Sequence, residues 1–313
     1  MGRRLSLGRH ALLVPAGFLT LGLLLLRKRH ERRLRAALAV GRLLGRLAHG
    51  LVPGPRRVVA CENMRRLAST PSSRLRTLEV EAYEHIGRSL VLSLTAGQWL
   101  QRHLRVPQAL GQLLDDLRSG GVLVCSAHLG VWELVPTVLA PHVPERSRRL
   151  GLVVYRPLHQ RRLNEWVRRR RGAAGIHLLP DRGAAPAMRR ALRRGGLVGM
   201  LPDQRPSRAG VAASFLGREV DFSPGLAALR HATGAPVWFC VLLLEPERPR
   251  LRLHLRRLAE RAPPPAEGAD GGEARVLVDG QPLVQAYADA LSSAVEAHPA
   301  QYFWWHRRFA AVL

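Results

Sequence analysis

From residue 120 onward the chain alternates short apolar runs with stretches whose apolar positions recur at helical spacing. Val122–Ser126 precedes a helical pattern at Val131–Leu139, Leu150–Tyr155 precedes Leu158–Arg171, and Ile176–Leu179 precedes Ala184–Arg194. Leu197–Leu201, Val237–Leu244 and Leu251–Leu255 are further apolar runs, and Gly225–Thr233 reads as another helix. Short runs apolar throughout suit strands buried on both faces, and their alternation with helices predicts an α/β fold with a mixed, largely parallel sheet flanked by helices. Phe215-Leu216-Gly217-Arg218 predicts a hairpin, Pro263–Gly272 a surface loop by composition, and Pro282–Ala297 a final helix.

Residues 31–118 have a different texture. They read mainly as helices, interrupted at Pro53-Gly54-Pro55 and again at Ser69-Thr70-Pro71-Ser72-Ser73, where the second interruption makes a helix start before 74–99. Ahead of them, residues 11–26 form one uncharged apolar run between Arg9 and the cluster Arg27-Lys28-Arg29. The run is short of the roughly 20 residues that usually span a bilayer, a deficit that flanking arginines and local thinning can make up. Arginine and lysine follow it where a signal peptide would need small residues and a cleavage site, and a soluble core helix would not usually be uncharged all round. We therefore expect an N-terminal membrane helix at 1–30, spanning or half-inserted. A helical region at 31–118 and an α/β core at 119–313 follow, the core held on the cytoplasmic side by the positive cluster.

Composition adds a strong basic bias. The formal charge is +26, yet Lys28 is the only lysine, so nearly all of the positive charge is arginine, a skew that coding bias would also produce. Placement is more informative than the total: Arg27 to Arg35 follow the apolar run, and Arg168 to Arg171 form an uninterrupted block. Such clusters suit anionic lipid head groups or an acidic carrier protein at least as well as nucleic acid. Three scattered cysteines, Cys61, Cys125 and Cys240, give neither a disulfide framework nor a metal-binding spacing.

The candidate chemistry begins at Gly120-Gly121-Val-Leu-Val-Cys-Ser-Ala-His128-Leu-Gly-Val-Trp-Glu133. A histidine stands at the end of a buried run, where α/β folds place their sites, and a carboxylate follows at the start of a helix. Histidine exchanges protons near neutral pH, and a carboxylate can fix its tautomer. Five residues along a regular helix turn through about 500°, so the two side chains converge only if the chain breaks at Gly130. Spacing alone leaves two readings: a general-base pair, or a hydrogen-bonded loop histidine beside an acid favoured by the helix dipole. Other runs also end in polar groups: Tyr155-Arg156-Pro157, Pro202-Asp203-Gln204 and Phe215-Leu216-Gly217-Arg218. Each alone is what turns ordinarily contain.

In order, these elements and the closing His298-Pro-x-Gln-Tyr-x-Trp-x-His-Arg-Arg-Phe309 resemble the lipid A biosynthesis (late) acyltransferases, which are related to mycobacterial phosphatidylinositol mannoside acyltransferases. The stretch Arg57 to Asn63 belongs to the same resemblance. It implies an α/β acyltransferase core behind a membrane helix, and transfer of a fatty acyl chain from acyl carrier protein to a hydroxyl of a glycolipid acceptor, a lipid A precursor, at the bacterial inner membrane. His128 would be the general base and Glu133 its orienting partner. Arg156 would bind phosphate or assist the oxyanion, and Asp203, Gln204 and Arg218 would bind substrate. No cofactor is implied, and the chain has neither a dinucleotide fingerprint nor a nucleophile elbow. Ser223 stands where relatives often have threonine. The C-terminal aromatics Tyr302, Phe303, Trp304, Trp305 and Phe309 suit packing of the last segment. The same chemistry on a lysophospholipid or a phosphatidylinositol mannoside stays open. So does a non-catalytic basic module, tethered to the membrane, that binds nucleic acid or anionic lipid.

Overall fold

The computed structural model describes residues 30–309 except 52–53, 68–70, 156–164, 166–168, 170–174, 176, 182, 207–209, 246, 248 and 264–271. The expected membrane helix, nearly all of the helix at 158–171 and most of the loop at 263–272 lie outside the described residues. Among the described residues no helix is long and apolar enough to cross a membrane.

Seven strands form one sheet: β1 (Leu104–Arg105), β2 (Val122–Cys125), β3 (Leu152–Tyr155), β4 (His177–Pro180), β5 (Leu197–Met200), β8 (Val237–Glu245) and β9 (Arg250–Ala259). Their order is β1-β9-β8-β2-β5-β3-β4, parallel throughout except for the antiparallel pair β8 and β9. The strand carrying the candidate histidine is thus central, paired in parallel to β5 on one side and β8 on the other. The hairpin expected around Leu216-Gly217 forms from β6 (Val211–Phe215) and β7 (Arg218–Phe222), a separate two-stranded sheet.

The apolar runs read as strands because both faces of the sheet are covered. Successive residues alternate between two cores. Leu123, Cys125, Val237, Phe239, Val241 and Leu243 join one, and Val122, Val124, Trp238, Cys240, Leu242 and Leu244 the other. The first core is closed by α7 (Ala185–Arg193), α8 (Gly225–Thr233) and the long α9 (Gly272–Ala297), which buries Tyr287, Leu291 and Val295. The second is closed by α4 (Ala109–Ser119) and the short α5 (Val135–Leu139), with another short helix, α6 (Glu145–Arg149), before β3.

The helical N-terminal region is α1 (His30–Leu51), α2 (Gly54–Met64) and α3 (Leu75–Thr95). The first and third cross at close range, through glycine. A Cβ on Gly45 would lie 2.2 Å from the Tyr83 carbonyl, and one on Gly87 would lie 2.0 Å from that of Gly41. Buried Glu84 ties the same helices together by ion pairs to Arg42 and Arg46 of α1, and also pairs with Arg88 on its own helix. Glu79 on α3 does likewise for α2 through Arg57.

Candidate active site

His128 leaves β2 in an extended loop that is fixed from three sides. Gly130 has φ +67°, and a Cβ there would lie 2.1 Å from the carbonyl oxygen of Leu242, so this position excludes side chains. Its amide donates to Gln301 O at 2.9 Å, and Val131 N–H donates to Leu242 O at 2.7 Å. From α3, buried His85 reaches the Gly130 carbonyl with Nε2 at 3.0 Å. Burial lowers the His85 pKa to about 4, so the ring is neutral near pH 7 and Nε2–H is the donor. Phe303 N–H donates to the carbonyl of His128 itself at 2.9 Å.

The carboxylate that grips the imidazole comes from the adjacent parallel strand. Asp203 follows β5, and its Oδ1 lies 2.9 Å from His128 Nδ1 while its Oδ2 accepts the His128 backbone N–H, also at 2.9 Å. Asp203 is 2% exposed. Burial alone would raise its pKa, but the charge and hydrogen bonds of His128, with a contribution from Arg308, hold it below the ordinary carboxylate value. An ionised carboxylate can only accept, so Nδ1 carries the proton, and the neutral form of His128 is the tautomer with its lone pair on Nε2. Gln204 Nε2 lies 3.2 Å from that nitrogen, on the side opposite Asp203.

His128 faces a cavity of about 810 Å³ that runs along β3 and β5 and reaches the end of β2. Trp132 and Glu133 line it in the turn after β2, Tyr155 at the end of β3, and Gln204 and Arg205 after β5. Much of the remaining wall is apolar, including Val124, Leu139, Leu152, Met188 and Leu229. Its volume falls among pockets that enclose small organic ligands, roughly 300–1,000 Å³. Trp132 and Phe303 pack around the imidazole, with ring centroids 5.5 and 6.1 Å from it.

The sequence-derived candidates thus divide. His128, Glu133 and Gln204 share one cavity, with Asp203 behind the histidine. The Nδ1 partner is Asp203, 75 residues away in the chain, whereas the resemblance implied Glu133 as the orienting partner; adjacent parallel strands bring together what the sequence separates. Glu133 sits half-buried in the 3₁₀ turn Trp132–Leu134 and lines the cavity beside His128. Arg218 does not join them: it is exposed at the start of β7 and is not among the described lining residues. Arg156 lies outside the described residues, directly after lining residue Tyr155. Ser223 also lines the cavity, accepting the Gly225 amide at 3.4 Å ahead of α8.

Sequence reasoning missed Arg189 and Arg205, two cations lining the cavity, since nothing distinguishes them from the other arginines of a basic chain. It also missed His85, whose signal, one histidine on a helical face, is indistinguishable from an ordinary core residue. The C-terminal motif is explained by packing. Asn63 donates through Nδ2 to the carbonyls of Trp304 and His306, at 2.6 and 2.7 Å, and Gln301 bonds both backbone groups of Leu244.

A central, largely parallel sheet places a histidine and a buried aspartate on neighbouring strand ends beside a cavity, an arrangement chemically able to accept and return a proton. The chain belongs to the bacterial lipid A biosynthesis acyltransferase family, whose model matches residues 44–311. No curated protein matches it significantly.

Proposed function

We propose that the protein transfers a fatty acyl chain from an acyl carrier protein thioester to a hydroxyl of a glycolipid acceptor, a lipid A precursor, on the cytoplasmic face of the bacterial inner membrane. The observation that carries this reading is the His128–Asp203 pair, its Nε2 facing a largely apolar cavity, within a chain of this family. His128 Nε2 accepts the hydroxyl proton as the acceptor oxygen attacks the thioester carbon. Asp203 keeps the proton on Nδ1 and stabilises the imidazolium. The carbon–sulfur bond then breaks, and the proton returns from Nε2 to the departing thiolate. The acyl group moves directly to the acceptor, so the mechanism needs neither a nucleophilic side chain nor a cofactor.

Glu133, on the same wall, has the role of holding the acceptor near Nε2. Arg205 and Arg189 at the cavity, with Arg156 following Tyr155, supply cations for acceptor phosphate, where arginine offers bidentate contacts. The apolar wall takes the acyl chain. A panel of acyl carrier protein and coenzyme A thioesters, incubated with lipid A precursors, lysophospholipids and phosphatidylinositol mannosides and read by mass spectrometry, tests donor and acceptor together. We expect an ester on the lipid A precursor. Acylation of a lysophospholipid or mannoside alone would keep the chemistry and overturn the acceptor.

A further inference from the structure

We propose that the outer face of α1 is itself a membrane-contact surface, lying along a bilayer that carries anionic lipid. The observation is an exposed apolar ridge. Leu43, Leu47 and Leu51 follow one another at helical spacing on α1 and are 55%, 54% and 82% exposed. Val58, early in α2, is a further exposed aliphatic side chain, at 55%. Large aliphatic side chains left in water at i, i+4 and i+8 are the pattern of a helix that lies in an interface. The buried stripe of the same helix, Leu34, Ala37 and Leu38, packs inward, so the exposed ridge is additional to the face that the fold consumes.

Charge specifies the occupant. Arg32, Arg35, Arg42 and Arg46 are exposed on the same helix and Arg56 on α2, whereas Glu31 is the only acid in α1. Arg42 and Arg46 reach Glu84 with Nε, yet their side chains remain 52% and 54% exposed, leaving guanidinium surface beside the leucines. Leucines in the acyl boundary and arginines at phosphate level make one continuous interfacial surface. Position along the chain agrees: α1 begins directly after the apolar run 11–26 and its basic cluster. The helix also packs on α3, which carries the His85 that braces the catalytic loop. A membrane bound along α1 would therefore lie one helix away from the element that braces the loop. The contact requires no acyl transfer and stands independently of the proposed reaction.

The test uses the full chain with Cys61→Ser and Leu47→Cys, labelled with an environment-sensitive fluorophore; Cys125 and Cys240 are buried. A second protein carries the label at Val278→Cys, 71% exposed on α9. Both are added to vesicles of phosphatidylcholine with or without phosphatidylglycerol, some containing a spin-labelled acyl chain as quencher. The Leu47 label is expected to shift to the blue and to be quenched on the anionic vesicles, while the Val278 label stays in water. Arg42→Gln and Arg46→Gln should each weaken the anionic-vesicle response by about fivefold. The proposal is overturned if the protein floats with the vesicles while the Leu47 label still reports water, or if both labels are quenched equally. It also fails if the label is already buried without vesicles, because residues 1–29 or a second copy would then cover the ridge.

Discussion

Asp203 serves His128 twice, accepting from its ring and from its backbone amide, so one side chain sets both the tautomer and the place where the loop leaves β2. Gly130 sets the direction in which that loop continues. Gly130→Ala would push a Cβ against the Leu242 carbonyl and place alanine at positive φ, and the loop carrying His128 must shift to relieve it. We expect at least a tenfold loss of transferase activity, since small displacements of a catalytic group are costly, with thermal unfolding of the variant showing that the fold persists. His85 gives a prediction in pH. The folded protein refuses a proton at His85 down to about pH 4, whereas the unfolded chain takes it up near 6.5, so between these values the unfolded state binds more protons and stability rises with pH. The difference amounts to roughly 3 kcal/mol across that window. His85→Gln, which keeps an N–H for the Gly130 carbonyl, should flatten the dependence of Tm on pH in this range; an unchanged slope would remove His85 as its source.

At the scale of elements, strands were the most legible part of the sequence. Each apolar run named after residue 120 coincides with a sheet strand: central β2 and β8 are apolar because they are buried along nearly their whole length, whereas β9 alternates buried leucines with more exposed polar residues. Turn chemistry located the hairpin through Leu216-Gly217, where both residues take positive φ. The glycine crossing of α1 and α3 was not read from the sequence: Gly41 and Gly45 stand at a Gly-x-x-x-Gly spacing on one helix face, but nothing in the chain pairs that face with Gly87 until the two helices are placed side by side. Gly87→Leu should force the helices apart and destabilise the protein by about 1–3 kcal/mol, read as a lower denaturation midpoint. Glu84 nearby supports the same crossing through its ion pairs to Arg42 and Arg46. Burial would raise its pKa, but the surrounding arginines hold it below the carboxylate norm, so its support is present above pH 4.5 and disappears as pH falls through the lowered value.

The whole molecule brings distant segments onto one loop. The α3 helix supplies His85, the segment after β5 supplies Asp203, and the C-terminal segment supplies Gln301 and Phe303, each bonded to residues 128–130. This explains why the site was only partly legible. His128, Asp203 and Gln204 each stood out at a strand end, but their pairing depends on strand order, and β5 returns to lie beside β2 only after β3 and β4 have been laid down. Chain proximity left the pairing of Glu133 with the histidine open and the resemblance implied it, while sheet topology gave Nδ1 to Asp203. Family membership points to acyl transfer, and the proposed mechanism gives its proton to His128 with Asp203 behind it. The most direct measurement is acyl transfer to a lipid acceptor by purified wild-type, His128→Ala and Asp203→Asn proteins, with folding of each checked by thermal denaturation. The account predicts that both variants fold and that each loses roughly 10³-fold or more in kcat. Folded variants that retain wild-type turnover would contradict it.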